Sequence, residues 1–250
     1  MSNNSNISNN SLVGILGYGE VGQAIAKFYH NPKVKDLNRD DGLANVNVLH
    51  VCIPWSNNFH DIVCREIAAI RPNISIIHST VAVGATKKLC DVMQSAMIVH
   101  SPIRGAHPHL YEGVKTFIKY IGAENEKAGL SAQEHLTSLG IKTKVVMPAA
   151  TTELAKLIDT TYYGLAIAFH GETKKWCDQL GLDFNIVMTE FNETYNEGYA
   201  KLGKTNVVRP VLKAPEGGIG GHCVVENATI LKKSFTSKVL DIILDYKPKA

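Results

Sequence analysis

Leu12-Val13-Gly14-Ile15-Leu16-Gly17-Tyr18-Gly19-Glu20-Val21-Gly22 is the stretch that decides the fold: an apolar run of strand length, then glycines spaced G-x-G-x-x-G. Val21, Ile25 and Phe28, with Ala24, continue it as a helical stripe. A strand that turns through glycines into a helix opens a dinucleotide-binding unit, because the glycines permit the tight turn and let a pyrophosphate approach backbone N–H groups. Asp36, nineteen positions after Gly17, ends a second short strand from Val34 to Leu37, where its carboxylate can accept from the adenosine ribose hydroxyls. The expected cofactor run is therefore Gly17, Tyr18, Gly19, Glu20, Val21 and Gly22, with Asp36. Asp36 repels a 2′-phosphate and favours NAD; Arg39, three residues on, could pair with one and keeps NADP open. The competing ligand is S-adenosylmethionine, which has no pyrophosphate and would not require all three glycines.

Beyond this unit, strands at Val46 to Ile53, Ile74 to His78 and Met97 to His100 alternate with a helix at Ile62 to Ile70 and a turn and helix over Val81 to Ser95. Lys119 to Gly122 and Lys144 to Val146, around a helix from Ala128 to Leu139, extend the same sheet. Alternation of this kind predicts a parallel sheet wound on both faces. Past Pro148 the pattern changes. Thr151 to Leu180 contains no proline and repeats its apolar residues at helical intervals, which predicts one helix of roughly eight turns ended by Gly181. Shorter helices follow at Phe184 to Tyr199, Val224 to Phe235 and Ser237 to Tyr246. The fold class expected is α/β: a Rossmann-type doubly wound parallel sheet over residues 12–148, then a smaller all-α domain over 149–250 built on the long helix. Residues 1–11, almost all Ser and Asn, read as a disordered tail. The long helix presents more apolar surface than one copy of a small domain needs, so a homodimer formed through it is expected.

Composition narrows the function classes. The net charge of +3 has only short lysine pairs behind it, which argues against nucleic acid. The chain has no apolar signal segment and no apolar span near membrane length, so no membrane partner is expected. Five cysteines, an odd count with no C-x-x-C pair, point to a reducing, cytoplasmic setting. The histidines do not fall at metal-ligand spacing, and no metal is expected. Cys52, Cys64, Cys90 and Cys177 lie in apolar periodic stretches and read as core fillers, whereas Cys223 follows Gly217-Gly218-Ile219-Gly220-Gly221-His222. That run lets the backbone approach a ligand closely and sets the thiol at a helix start, where a thiolate is stabilised; His222 is the adjacent imidazole.

Taken together, these residues resemble the UDP-glucose/GDP-mannose dehydrogenases, relatives of the 6-phosphogluconate and β-hydroxyacid dehydrogenases. The glycine turn, Val51-Cys52-Ile53-Pro54, His78-Ser79-Thr80-Val81, Ser101-Pro102, the helix carrying Glu153 and Lys156, and the Gly217 to Cys223 run all carry the resemblance. It implies an NAD-dependent dehydrogenase whose cofactor also runs along Ile53, Pro54 and Ser79. It implies Cys223 as the nucleophile that takes an aldehyde to a thioester, Lys156 as acid/base, and Thr80 beside the nicotinamide and an activated water. Glu153, Thr160, His222 and Asn227 fall at substrate-facing positions of the same pattern.

Several residues depart from the family. Thr160 stands where the family has asparagine, and Asn227 where it has aspartate. After Pro102 the usual glutamate is replaced by Ile103-Arg104-Gly105-Ala106-His107, so Arg104 and His107 are expected to recognise an anionic substrate. The family's third, UDP-binding domain is not expected in the short stretch that follows the cysteine helix. The reading is thus an oxidoreductase acting on a small anionic alcohol or aldehyde, with a one-step hydroxyacid-dehydrogenase-like enzyme and a non-catalytic nucleotide-binding protein as alternatives.

Overall fold

Short runs of Val, Ile and Leu form the middle of the sheet because both of its faces are covered. In β1 (Val13–Leu16), β4 (Val48–Val51) and β5 (Ile74–Ile77) every residue is buried, the pattern of a strand with helices on either side. The computed structural model describes residues 12–220 and 223–246; the expected tail at 1–11, and Gly221 and His222, lie outside the described residues. The chain divides into two compact units between Lys156 and Leu157.

The first unit continues with α1 (Glu20–Ala26), β2 (Lys33–Asp36), β3 (Arg39–Asp40), α2 (Phe59–Ile70), α3 (Ala85–Val92) and β6 (Ile98–His100). It then adds α4 (Leu110–Thr116), β7 (Lys119–Ala123), α5 (Glu126–Ser138) and β8 (Thr143–Val146). Sheet order is β3-β2-β1-β4-β5-β6-β7-β8. Ile15, Val48, Ile76 and Val99 pack with α1 and α5 on one face; Leu49, Val51, Ile77 and Ile98 pack with α2 and α3 on the other. Strand order reverses between β1 and β4, the switch point outside whose carboxyl ends open α/β sheets bind ligands.

The Rossmann-type sheet is as expected, except that it is not wholly parallel. β3 pairs antiparallel with β2 through Lys35–Asp40 and Asp36–Arg39, and β7 runs antiparallel to β6. A two-residue polar strand carries no periodicity, and β6 is joined to β7 through α4, a helix that the Pro- and His-rich sequence around it conceals.

α6 (Ala150–Leu180) is a 31-residue helix, about 46 Å long at 1.5 Å per residue, ended by Gly181 at φ 66°. The second unit buries Leu157, Ala168, Cys177, Ile219, Val224, Leu231, Leu240 and Ile243 around it. Gly164 and Gly171 make room for neighbours: a Cβ on Gly164 would collide with Val224, and one on Gly171 would stand 2.5 Å from the Tyr246 ring. After α6 the expected single helix is a π-helical segment, Asn185–Glu190, running into α7 (Phe191–Lys201), and no residue of either is buried. α8 (Cys223–Lys232) and α9 (Lys238–Asp245) complete the unit.

Candidate active site

Leaving β1, the chain reverses into α1 within three residues. Gly17 takes φ 94°, and a Cβ there would stand 2.7 Å from the Ile53 nitrogen. A Cβ on Gly22 would collide with the Gly17 carbonyl. These two glycines are demanded by the protein's own packing. Gly19 is not. Its φ of −66° suits any residue, and a Cβ on it would meet nothing within 4 Å. Space kept open at the middle glycine, at the sheet's switch point, fits the approach of a diphosphate.

Asp36 is already positioned: its Oδ2 accepts from Tyr18 N–H at 2.5 Å and its Oδ1 from Leu37 N–H at 2.6 Å. Arg39 lies over the Tyr18 ring, 5.2 Å from its centroid, and pairs with Asp41 at 2.6 Å. The cation that could meet a 2′-phosphate thus has a carboxylate partner within the protein. His107 pairs with Glu20, which sets the loop after β6 against the glycine turn. Arg104 of the same loop is exposed and stacks over Phe117 and Tyr120 at 5.4 and 6.0 Å.

The carboxyl ends of β4, β5 and β6 are bolted together by buried side chains. Ser79 Oγ donates to Ile53 O at 2.6 Å, and His100 Nε2 donates to Ser79 O at 3.1 Å. That leaves His100 Nδ1 to accept from the Thr152 hydroxyl, 2.7 Å away. Thr80 follows Ser79 half-buried, and Ile53 and Pro54 flank the same edge. Lys156 is half-buried on α6. Glu153, expected against substrate, is 1% exposed, and its two oxygens accept from Gly84 N–H (2.6 Å) and Thr86 N–H (2.8 Å). It caps the start of α3, whose amides have no other side-chain acceptor at Gly84; burial raises its carboxyl against the pull of those amides.

In the second unit Cys223 opens α8 and is exposed, while Asn227, one turn on, is buried. Thr160 shares a face of α6 with Gly164, against which Val224 packs. The segment leading into the glycine run is held at two points. Leu212 N–H donates to His170 Nε2 at 3.3 Å, and Ile219 N–H to Tyr246 O at 2.6 Å, with Gly217 and Gly218 at φ 73° and 116° between them. Burial pushes the Cys52 thiol up to about 12 and that of Cys90 to about 11, and raises that of Cys64. Cys177 is 2% exposed. His222, the expected neighbour of the thiol, lies outside the described residues.

The sequence reading missed a polar layer under this edge. His50 on β4, His78 just past β5 and Lys119 at the start of β7 are buried and hydrogen-bonded toward Ser101. A signal existed: polar residues interrupt the apolar runs Val48-Leu49-His50-Val51, Ile76-Ile77-His78 and Phe117-Ile118-Lys119-Tyr120-Ile121.

Residues 150–244 match the family model of the UDP-glucose/GDP-mannose dehydrogenase family, central domain. A UDP-N-acetyl-D-mannosamine dehydrogenase of Pyrococcus horikoshii is 24% identical over 241 residues, covering 89% of this chain and 54% of its own length. The chain spans about half the length of the curated relatives it matches. The solved UDP-D-ManNAc dehydrogenase of Pyrococcus horikoshii superposes with a TM-score of 0.75 at 18% identity, over 94% of this chain and 68% of that one. A 3-hydroxyisobutyrate dehydrogenase of Mycobacterium tuberculosis gives 0.68 at 16% identity, over 94% and 91%. The family resemblance and the Rossmann-type fold read from the sequence both stand on these likenesses.

Proposed function

We propose that the chain is an NAD-dependent oxidoreductase resembling the nucleotide-sugar dehydrogenases, acting on a small anionic alcohol or aldehyde. The observation that carries this reading is the open space at Gly19 between two glycines that packing demands, with Asp36 set by Tyr18 and Leu37. Gly17 to Gly22, Asp36, Ile53, Pro54 and Ser79 would hold the dinucleotide, and a nicotinamide held there supplies a hydride acceptor. Arg39, partnered by Asp41, supports NAD over NADP. Titration with NADH, NADPH and S-adenosylmethionine decides the class. NADH is expected to bind most tightly, and binding of S-adenosylmethionine alone sinks the oxidoreductase reading.

For the substrate, Lys156 is the group assigned to take the alcohol proton and Thr80 the one assigned to orient water. Cys223 is assigned the attack on an aldehyde carbon: the thiol gives up its proton, its sulfur forms the C–S bond as the carbonyl oxygen becomes an alkoxide, hydride leaving that carbon for the acceptor a bound NAD would supply leaves a thioester, and water then releases the acid and returns the thiol. Arg104, exposed beside the edge, would take the substrate's anionic group; Thr160 and Asn227 stand near α8's entry, and Glu153 contributes as a cap of α3. Intact nucleotide sugars turned over as well as small anionic alcohols would remove Arg104 from the reading. A one-step oxidation that leaves the thiol unused is the second reading, favoured by the likeness to the 3-hydroxyisobutyrate dehydrogenase over 91% of that chain.

Cys223 separates the two. Being exposed while the other four thiols are buried or raised, it is expected to react with iodoacetamide first, as read by peptide mapping. Cys223→Ser is then expected to stop oxidation at the aldehyde; unchanged conversion of alcohol to its final product would assign the one-step route.

A homodimer through α6 and the segment after it belongs to the same reading. Ile158, Tyr162, Phe169 and Trp176 on α6, with Ile186 and Phe191 beyond it, are all exposed large apolar side chains. Light scattering should return twice the 27.3 kDa chain mass; a single-chain mass at micromolar concentration would refute the pairing.

A further inference from the structure

The antiparallel ladder between β6 and β7 stops early. Its pairs are Val99–Ala123 and His100–Gly122, and Pro102, with no N–H, cannot extend it. Side chains finish what the backbone leaves. Ser101 Oγ donates to Tyr120 O at 2.9 Å, and Lys119 Nζ donates to Ser101 O at 2.8 Å and Pro102 O at 3.2 Å. His78 Nδ1 gives Ser101 O a second donor at 2.8 Å.

That last bond fixes a whole chain of tautomers. A carbonyl only accepts, so His78 carries its proton on Nδ1 and its Nε2 must accept from His50 Nδ1–H, 2.8 Å away. His50 Nε2 then accepts from the Tyr29 hydroxyl at 2.7 Å, and the Tyr29 oxygen accepts from His135 Nε2–H, also at 2.7 Å. Every bond points the same way, toward the Ser101 carbonyl. The string is no metal site: among the described residues no group of three or more His, Cys, Asp or Glu could hold an ion.

We infer that Lys119, backed by the His135–Tyr29–His50–His78 string, is a positioning residue that holds the Ser101–Pro102 turn at the sheet edge in the shape the dinucleotide requires. This rests on the dinucleotide reading above, since the turn stands beside Ser79 and Ile53 at the carboxyl ends of successive strands. Around the Lys119 amine stand the Cys52 thiol, His50, His78, His100 and Lys156, with no carboxylate among them. Burial brings the amine down to about 7, so its charge changes within the working range. Protonated, it makes charge-assisted bonds to both carbonyls and tightens the turn.

The test is a set of NADH fluorescence titrations at pH 6.5, 7.5 and 8.5, with thermal unfolding in parallel, on wild type, Lys119→Met and Lys119→Arg. Wild-type affinity is expected to rise about three- to tenfold from pH 8.5 to 6.5. Lys119→Met, similar in volume but without a donor, should bind about tenfold more weakly and lose the pH dependence. Lys119→Arg, always charged, should restore binding and also be flat with pH; if the Met variant does not fold, this flat profile against the sloping wild type carries the decision. A Met variant that binds like wild type at every pH, or an Arg variant that keeps the wild-type slope, overturns the clamp alone. A folded wild type that binds no dinucleotide at any pH overturns the underlying reading and the clamp with it.

Discussion

Gly19→Thr is expected to leave the protein as stable as the wild type and to weaken NADH by about 100-fold or more. Nothing in the protein lies within 4 Å of the added Cβ, the φ of −66° accepts threonine, and threonine serves about as well as glycine ahead of a helix's first turn. The melting temperature should therefore move by no more than about 2 °C. Gly22→Ala is the contrasting case. Its methyl group would run into the Gly17 carbonyl, so the variant should lose about 2–3 kcal/mol of stability before binding is considered. Measured by calorimetry and thermal melts on the two variants, the expected result is a separation of folding from binding. A Gly19→Thr protein that binds NADH like wild type would mean that the open space at the turn is not the cofactor's.

Acid is expected to unfold the first unit by a route that its histidines dictate. Burial lowers His50 and His78 well below the ordinary imidazole value, His100 to about 3 and His135 to about 4. All four are neutral in the folded protein and become protonated in the unfolded chain near the usual 6.5, so the unfolded state binds more protons and stability falls as pH falls from there. The loss continues through about 4, where His135 also titrates in the folded state. Four protons correspond to about 5 kcal/mol per pH unit at full slope, and to about 8 kcal/mol between pH 7 and 5. The Glu153 carboxyl, raised by burial, works the other way with one proton and offsets part of this. Against a total stability of about 5–15 kcal/mol, the midpoint should lie near pH 5. Urea unfolding across pH 7 to 5 gives the slope directly, and His135→Leu should reduce it by about a quarter. Stability that is flat over this range would mean that the histidines are charged, and would break the one-way hydrogen-bond string drawn from Ser101 to His135.

Local pattern carried the parts of the fold that could be read from the chain. The strand, glycine turn and helix from Leu12 to Gly22 could be read because glycine spacing and helical period are properties of adjacent residues, and Asp36 because the second strand begins soon after the first helix. The long helix, read as Thr151 to Leu180 against the observed Ala150–Leu180, and its stop at Gly181 were legible for the same reason. Tertiary structure alone decided which side chains meet. Glu153 and Gly84 are 69 positions apart, and Tyr29 and His135 are 106 apart, distances at which neither period nor spacing carries information. The sequence likewise could not distinguish Gly19, which the protein does not need, from Gly17 and Gly22, which it does: that difference lies in the Ile53 nitrogen and the Gly17 carbonyl beside them. Nor could it reveal that Lys119, the lone charge in an apolar strand, points inward to the Ser101 and Pro102 carbonyls. A buried lysine is tolerated where its amine meets acceptors, and the Ser101 and Pro102 carbonyls reach it only once β6 and β7 lie side by side.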